Sequence, residues 1–502
     1  MKQTVRTRIA PSPTGLAHLG TIYQALINYA YAKGRRGSFI WRSEDTDQAR
    51  FVEGAEENLN NHLHWFGLIP DESPFENGSY APYRQSERLE IYQKYAKELI
   101  TNGYAYYCFC SAERLNTVRE QMQKEGKPPM YDKYCINITI TQAQERIEKG
   151  ESFVIRMKIP VNETIKVYDE ILGDVEFNSN TIDDQVLIKS DGFPTYHMAV
   201  VVDDHLMEIT HMVRAREWLP SSPKQVLLYR YFDWEMPKLI HVPVILNSDG
   251  KGKLSKRHGH SSADYYRLQG FLPKAILNYL AHIIWNHPKG KEIFELSDFV
   301  KHFDFKGIIS QGPRFDLDKL RWINGQYIRK LKVVELYDIL LEHFTYTKDI
   351  QVLEWLNNKD YSLAVIPLIH ERLAILSDFK NLVEYFYSTD VIPVIRQSAE
   401  GIYNFKEELI KSGQDQQQVM LLLSFVYKEL QLVKNWTLEH LHITETKIRD
   451  LATQNNWKTL NAFMPIRVAV TGTKQSPPLF DVMQVLGKDK TLHRLNQAIQ
   501  SL

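Results

Sequence analysis

The sequence predicts an α/β domain interrupted by an α+β insertion and followed by a mainly α-helical C-terminal region, on three observations. Near the N-terminus a β-rich run, a helical stretch and a second β-rich run follow one another, the order that makes a right-handed parallel crossover. From Tyr104 to about Lys189 short alternating runs replace that pattern, among them Phe153–Ile159. Beyond a polar Gly and Lys loop at 249–258 nearly every segment has helical spacing.

Each element follows from local chemistry. Val5–Ile9 reads as a strand, a Pro-Ser-Pro-Thr-Gly loop ends it, and Thr21–Lys33 is helical until Gly34 and Gly37 break the pattern. Phe39–Trp41 is the second strand. The polar clusters Arg8–Ser12 and Glu44–Asp47 then fall at the strands' carboxyl ends, where such sheets bind ligands. Parallel-sheet patterning resumes near Tyr196 with the apolar run Met198–Val202, which ends in Asp203-Asp204-His205, and continues at Ile240–Leu246. Further on, Leu363, Ile366, Ile369, Leu373, Leu376 and Phe379 form one helical stripe, and linkers are placed near 330 and 390.

At 502 residues the chain exceeds what one core organises, so about two to four domains are expected. Apolar residues at 43% and charged residues at 24% exclude a disordered chain. Basic and acidic residues balance at 61 each, so any nucleic-acid contact has to come from local basic patches. Met1–Pro13 carries charges and prolines where a secretory signal needs an apolar run, and no later stretch reaches spanning length; a cytoplasmic location without a membrane partner is expected. Three cysteines cannot make a disulfide framework, and Cys108 and Cys110, one residue apart, point to a reducing compartment.

Two motifs carry chemistry. Arg8–Thr21 ends where a helix begins, so backbone N–H groups and the helix dipole can hold phosphate oxygens there; His18 can donate to a phosphate, and Gly20 lets a flat base approach the backbone. The second is Lys253-Leu254-Ser255-Lys256-Arg257 after Asp249-Gly250-Lys251-Gly252, a loop with closely spaced cations able to close over a triphosphate and to stabilise charge on a transferring phosphate. Alone, the first is an ordinary turn before a helix and the second a solvated basic loop.

Paired about 235 residues apart, His18-Leu19-Gly20-Thr21 and Lys253-Leu254-Ser255-Lys256-Arg257 resemble the twin motifs of class I aminoacyl-tRNA synthetases. The likeness narrows to bacterial-type glutamate–tRNA ligases through the segments 8–15, 42–47, 83–88, 191–197, 202–205, 214–219 and 315–322, and it covers essentially the whole chain. It implies a Rossmann-type catalytic domain in two halves, 1–105 and 191–250, around an inserted acceptor-binding α+β domain at 106–190. A stem-contact domain with the basic loop at 251–330 and all-α anticodon-binding subdomains at 331–390 and 391–502 would follow.

The resemblance also implies substrates and roles. The substrates are ATP, L-glutamate and the tRNA for glutamate, with Mg²⁺ as cofactor and a monomeric enzyme, and tRNA binds before the first step runs. Glutamyl-adenylate forms first, and a ribose hydroxyl of the terminal adenosine then takes the acyl group. Pro11, His18, Gly20, Thr21, Lys253, Ser255 and Lys256 would bind ATP, with His18, Lys253 and Lys256 catalytic. Arg8 and Arg214 would grip the substrate carboxylates and Glu44 the α-ammonium, with Ser12, Tyr196 and Trp218 completing the glutamate pocket. A guanidinium facing the side-chain carboxylate penalises glutamine, whose amide brings N–H groups to a cation. Some family members carry a polar residue where Val200 stands.

Cys108, Cys110 and Cys135 match the thiols of members that hold a structural zinc, but Asn137 occupies the place of their histidine, and a carboxamide is a poor zinc ligand. Zn²⁺ and free thiols both remain open, with Tyr131 or water as a substitute ligand. In the helical region Arg372 aligns with an anticodon-reading Arg and Arg467 is a second candidate, which favours rejection of the tRNA for glutamine over charging of both tRNAs. Against a small-molecule nucleotidyltransferase or a tRNA-base-modifying ligase stands the long helical tail. Against a non-catalytic tRNA-binding relative stand the intact His18, Gly20, Glu44, Arg214, Lys253 and Lys256.

Overall fold

In the computed structural model, which describes residues 4–254, 261–309, 311–390, 405–413 and 415–502, strands β1 (Arg6–Ile9) and β2 (Ser38–Trp41) pair in parallel with Arg8 opposite Ile40. The helix between them, Leu19–Lys33, is deeply buried along its length. A three-stranded antiparallel sheet is made by β3 (Ala105–Cys108), β4 (Val154–Met157) and, after an excursion, β7 (Val186–Ile188). The excursion is a hairpin of β5 (Thr164–Asp169) and β6 (Gly173–Asn178) that leaves this sheet and extends the main one. With β8 (His211–Ala215) and β9 (Lys238–Val242) the main sheet has the order β2-β1-β8-β9-β5-β6, parallel except for the hairpin. The segment 106–190 therefore contributes strands to both sheets.

The apolar run before Asp203 departs from the expectation. Met198–Val202 is not a strand: it belongs to the helix Tyr196–Leu206, and the strand is His211–Ala215. All five residues are fully buried, and a short apolar run enclosed on every side has no period by which strand and helix can be told apart. The helix brings Asp203 and Asp204 to its last turns, both without solvent exposure.

Two compact units are distinguishable, Met1–Tyr266 with Pro273–Leu320, and Arg267–Leu272 with Arg321–Leu502. The second is helical, and the stripe from Leu363 to Phe379 lies in its core. That stripe is not one helix: Lys359–Ile369 ends in a short turn at His370–Arg372, and a new helix runs Asp378–Tyr387. Within the same core the fully buried Arg494 donates to Val470 O at 2.7 Å and to Tyr385 O and Ser388 O, both at 2.6 Å. It thereby satisfies carbonyls that two helix C-termini leave unpaired, where a cation also suits the dipole.

Candidate active site

Strand β1 lies between β2 and β8, the position at which the strand order reverses and a crevice opens beyond the carboxyl ends. A cavity of about 760 Å³ occupies it, lined by Arg8, Pro11, Ser12, His18, Gly20, Thr21 and Glu44 from the first half of the unit. Tyr196, Arg214, Trp218 and Lys253 line it from the second half. Residues chosen for nucleotide and for amino acid thus share one wall-to-wall space. Ser255 and Lys256 lie outside the described residues.

The nucleotide side is organised by the helix start. His18 is the N-cap of Leu19–Lys33, its Nδ1 accepting the Gly20 N–H at 2.9 Å. A neutral imidazole that accepts at Nδ1 carries its proton on Nε2, the nitrogen then suited to donate to a phosphate. A Cβ on Gly20 would stand 3.0 Å from that Nδ1, so the glycine protects the cap. Both ends of the basic loop are tied to the wall: Leu254 N–H donates to Ile245 O at 2.9 Å, and beyond the loop Leu19 N–H donates to Ser261 O at 2.7 Å. Lys253 Nζ meets Glu217 Oε1 at 2.6 Å.

The amino-acid side holds three arginines in different states. Arg8 donates through Nε and Nη2 to the two oxygens of Asp204, at 3.1 and 3.0 Å, and is thereby ion-paired. Arg42, wholly buried, donates to the same Asp204 at 2.7 Å and to Glu44 Oε1 at 3.3 Å. Asp203 accepts from Arg88 Nε, Gln85 Nε2 and Tyr92 Oη at 2.8, 2.9 and 2.8 Å. Arg214 differs: Nη1 donates to Tyr196 Oη, Nη2 to Ser222 Oγ and Nε to His241 Nε2, each at 2.9 Å. All three partners are neutral, and among the described residues no carboxylate lies within ion-pair distance of it. Burial depresses its pKa, which is the signature of a cation short of an anion. The Trp218 ring sits 4.7 Å from that of Tyr196 and walls this end.

Burial pushes the Glu44 carboxyl up to about 7, opposed by Arg42 and Arg8. Below that pH it is mostly neutral and cannot attract an ammonium group; above it the carboxylate forms. If it receives the substrate ammonium, kcat/KM for glutamate should rise through an acid limb near pH 7, since that ratio reports the free enzyme. Glu44→Gln should flatten the limb. A pH profile unchanged by that substitution would remove Glu44 from the role.

The sequence assigns no site role to Asp203, Asp204, Glu217, Ser222, His241 or Asp169. The paired acids after an apolar run were a usable signal for the first two; His241 and Asp169 sit on separate strands and gave none.

Away from the cavity, the sulfurs of Cys110 and Cys135 are 3.5 Å apart, and Tyr131 Oη lies 3.3 Å from Cys108 Sγ and 3.6 Å from Cys110 Sγ. Asn137 is exposed, and the Tyr131 phenol stands among the thiols. Hydrogen bonding from Cys135, opposed by burial, holds the Cys108 thiol below its ordinary value. The three thiols fit a tetrahedral metal, whose ligand sulfurs stand about 3.8 Å apart for bonds of about 2.3 Å. Among the described residues the cavity gathers no group of three or more His, Cys, Asp or Glu side chains that could hold a metal ion. In the helical unit Arg372 Nη2 donates to Ser476 O at 2.7 Å and Arg467 Nη1 to Pro477 O at 2.8 Å, so both arginines gather on one loop.

Known proteins resemble the chain over its whole length. Residues 4–322 match the family model for tRNA synthetases class I (E and Q), catalytic domain, and 335–499 match an anticodon binding domain. A glutamate–tRNA ligase of Gloeobacter violaceus is 42% identical, the alignment covering 98% of this chain and 95% of that one. One of a Psychrobacter species is 41% identical over 100% and 94%. The crystal structure of a glutamate tRNA ligase from Elizabethkingia meningosepticum in complex with its amino acid superposes with a TM-score of 0.86 at 34% identity, covering 99% of both chains.

Proposed function

We propose, for a chain that belongs to the glutamate–tRNA ligase family of class I aminoacyl-tRNA synthetases, that the cavity beyond β1 and β8 holds glutamate with its side-chain carboxylate on Arg214. The enzyme attaches glutamate to tRNA at the expense of ATP. What supports the placement is one observation: Arg214 is a buried cation whose contacts are all neutral. The α-carboxylate must attack the α-phosphorus, expelling pyrophosphate, and lose its charge in glutamyl-adenylate, whereas the side-chain carboxylate stays charged throughout. A fixed, uncompensated guanidinium suits the latter, and Glu44 suits the ammonium. His18 and Lys253 would bind and stabilise the phosphates, with Lys256 joining them from the basic loop. Mg²⁺, when bound, supplies charge neutralisation on the phosphates. The terminal ribose hydroxyl of tRNA then attacks the acyl carbon, and AMP leaves. Equilibrium binding of labelled glutamate and glutamine tests the pocket: glutamine should bind at least about tenfold more weakly, and equal affinity would contradict the placement.

The domain boundaries inferred from the sequence belong to the same reading, 106–190 meeting the acceptor end and 331–390 and 391–502 the anticodon. Arg372 and Arg467 would read anticodon bases, Arg372 rejecting the tRNA for glutamine. Wild-type enzyme should charge only the tRNA for glutamate, and Arg372→Gln should admit the other; charging of both by the wild type would sink this assignment. Cys108, Cys110, Cys135 and Tyr131 would hold a structural Zn²⁺. Elemental analysis should find zinc in the wild type and none in Cys110→Ser; metal-free wild type with reactive thiols would show a thiol cluster instead.

A further inference from the structure

Arg214 and His241 are register partners on the adjacent parallel strands β8 and β9, and Asp169 ends the neighbouring strand β5 beside Leu239. The contacts across these three strands form a chain. Arg214 Nε lies 2.9 Å from His241 Nε2, and His241 Nδ1 lies 2.7 Å from Asp169 Oδ2. Neither Asp169 nor His241 has any solvent exposure. An arginine Nε can only donate, so His241 Nε2 must accept. The imidazole proton is then on Nδ1 and is donated to Asp169. Three backbone amides hold the carboxylate: Oδ1 accepts from Ile171 N and Leu172 N at 2.9 Å each, and Oδ2 from His241 N at 2.9 Å. Burial favours the neutral imidazole.

From this geometry we infer that Asp169 and His241 are positioning residues for amino-acid selection: the carboxylate fixes the His241 tautomer, and the neutral imidazole aims Arg214 without neutralising it. The contrast with Arg8 gives the reason. A carboxylate placed directly on a guanidinium, as Asp204 is on Arg8, satisfies the cation before substrate arrives. Interposing an imidazole orients the guanidinium plane through its Nε, while the positive charge remains available to an incoming carboxylate. Glutamine gains nothing from that charge, so the spacer sharpens the choice between the two amino acids. This inference rests on the placement of the glutamate side chain at Arg214.

Asp169→Asn is nearly isosteric, but its amide would have to donate toward His241, driving the imidazole proton to Nε2 and setting N–H against N–H at Arg214. The experiment uses the full-length enzyme and measures KM for glutamate, ATP and tRNA in charging assays, with ¹⁵N chemical shifts of labelled histidine reporting the tautomer. Asp169→Asn and His241→Phe should raise the glutamate KM about tenfold to a hundredfold, with KM for ATP and tRNA within about twofold. His241→Gln, whose amide oxygen can accept from Arg214, should recover most of the loss. The His241 resonance should report Nδ1–H in the wild type and Nε2–H in Asp169→Asn. A wild-type Nε2–H tautomer, or a folded Asp169→Asn enzyme with unchanged glutamate KM while Arg214→Met is impaired, would overturn the inference. Unchanged glutamate KM in Arg214→Met would overturn the pocket assignment itself.

Discussion

Arg214→Met is expected to lower kcat/KM for glutamate by roughly two to four decades while leaving the fold as stable as the wild type. Two charge-assisted hydrogen bonds to a carboxylate, at about 1.5–3 kcal/mol each, set the loss, with a decade for about 1.4 kcal/mol. Stability should not follow activity down. The guanidinium is buried against neutral groups, so replacing it by an apolar chain of similar length removes a desolvation cost. Its former partners can also re-pair, since Ser222 Oγ already lies 3.5 Å from His241 Nε2. Thermal unfolding beside steady-state kinetics checks both halves. Loss of fold, or unimpaired use of glutamate, would contradict the claim that this residue is held in reserve for substrate.

Asp204→Asn is expected to do the opposite and cost stability first. Its carboxylate is the shared anion for Arg8 and Arg42, both buried, with oxygens 3.0 and 2.7 Å from their guanidinium nitrogens. Against the burial that would raise its pKa, Arg8 and Arg42 hold the Asp204 carboxyl below the usual carboxylate value. Removing one member of such a buried set leaves uncompensated charge and typically costs about 3–5 kcal/mol. Activity should fall as well, because Asp204 holds Arg8 directly and Glu44 through Arg42. A chain with two units need not unfold in one step, so the readout is the transition of the catalytic unit, followed by denaturant titration. An unshifted transition would show that Asp204 is not the hub the contacts describe.

Legibility in the sequence depended on range. The Arg8–Thr21 turn, its helix and the second strand were readable because local rules govern them: a proline-rich loop, an unbroken apolar face and two glycines. Arg8, Glu44 and Arg214 are named through motif resemblance, and they line one cavity in the fold. What the motifs left unstated was the charge state of each arginine. Whether a guanidinium is neutralised depends on residues about 200 positions away, such as Asp204 on Arg8, and no local pattern encodes that. Met198–Val202 was misread because an element buried on all sides loses the amphipathic period on which such reading depends. The departure of β5 and β6 from the inserted segment to the main sheet was hidden for a related reason: an alternating run announces a strand but not its neighbour.

The most direct test of the account is charging of purified tRNA for glutamate with labelled glutamate and, in parallel, labelled glutamine, with ATP and tRNA each withheld in turn. The account predicts ATP-dependent transfer of glutamate to tRNA and no detectable transfer of glutamine. Comparable transfer of glutamine would contradict the role of Arg214 as a cation reserved for the side-chain carboxylate, and no transfer of either would contradict catalysis by this cavity.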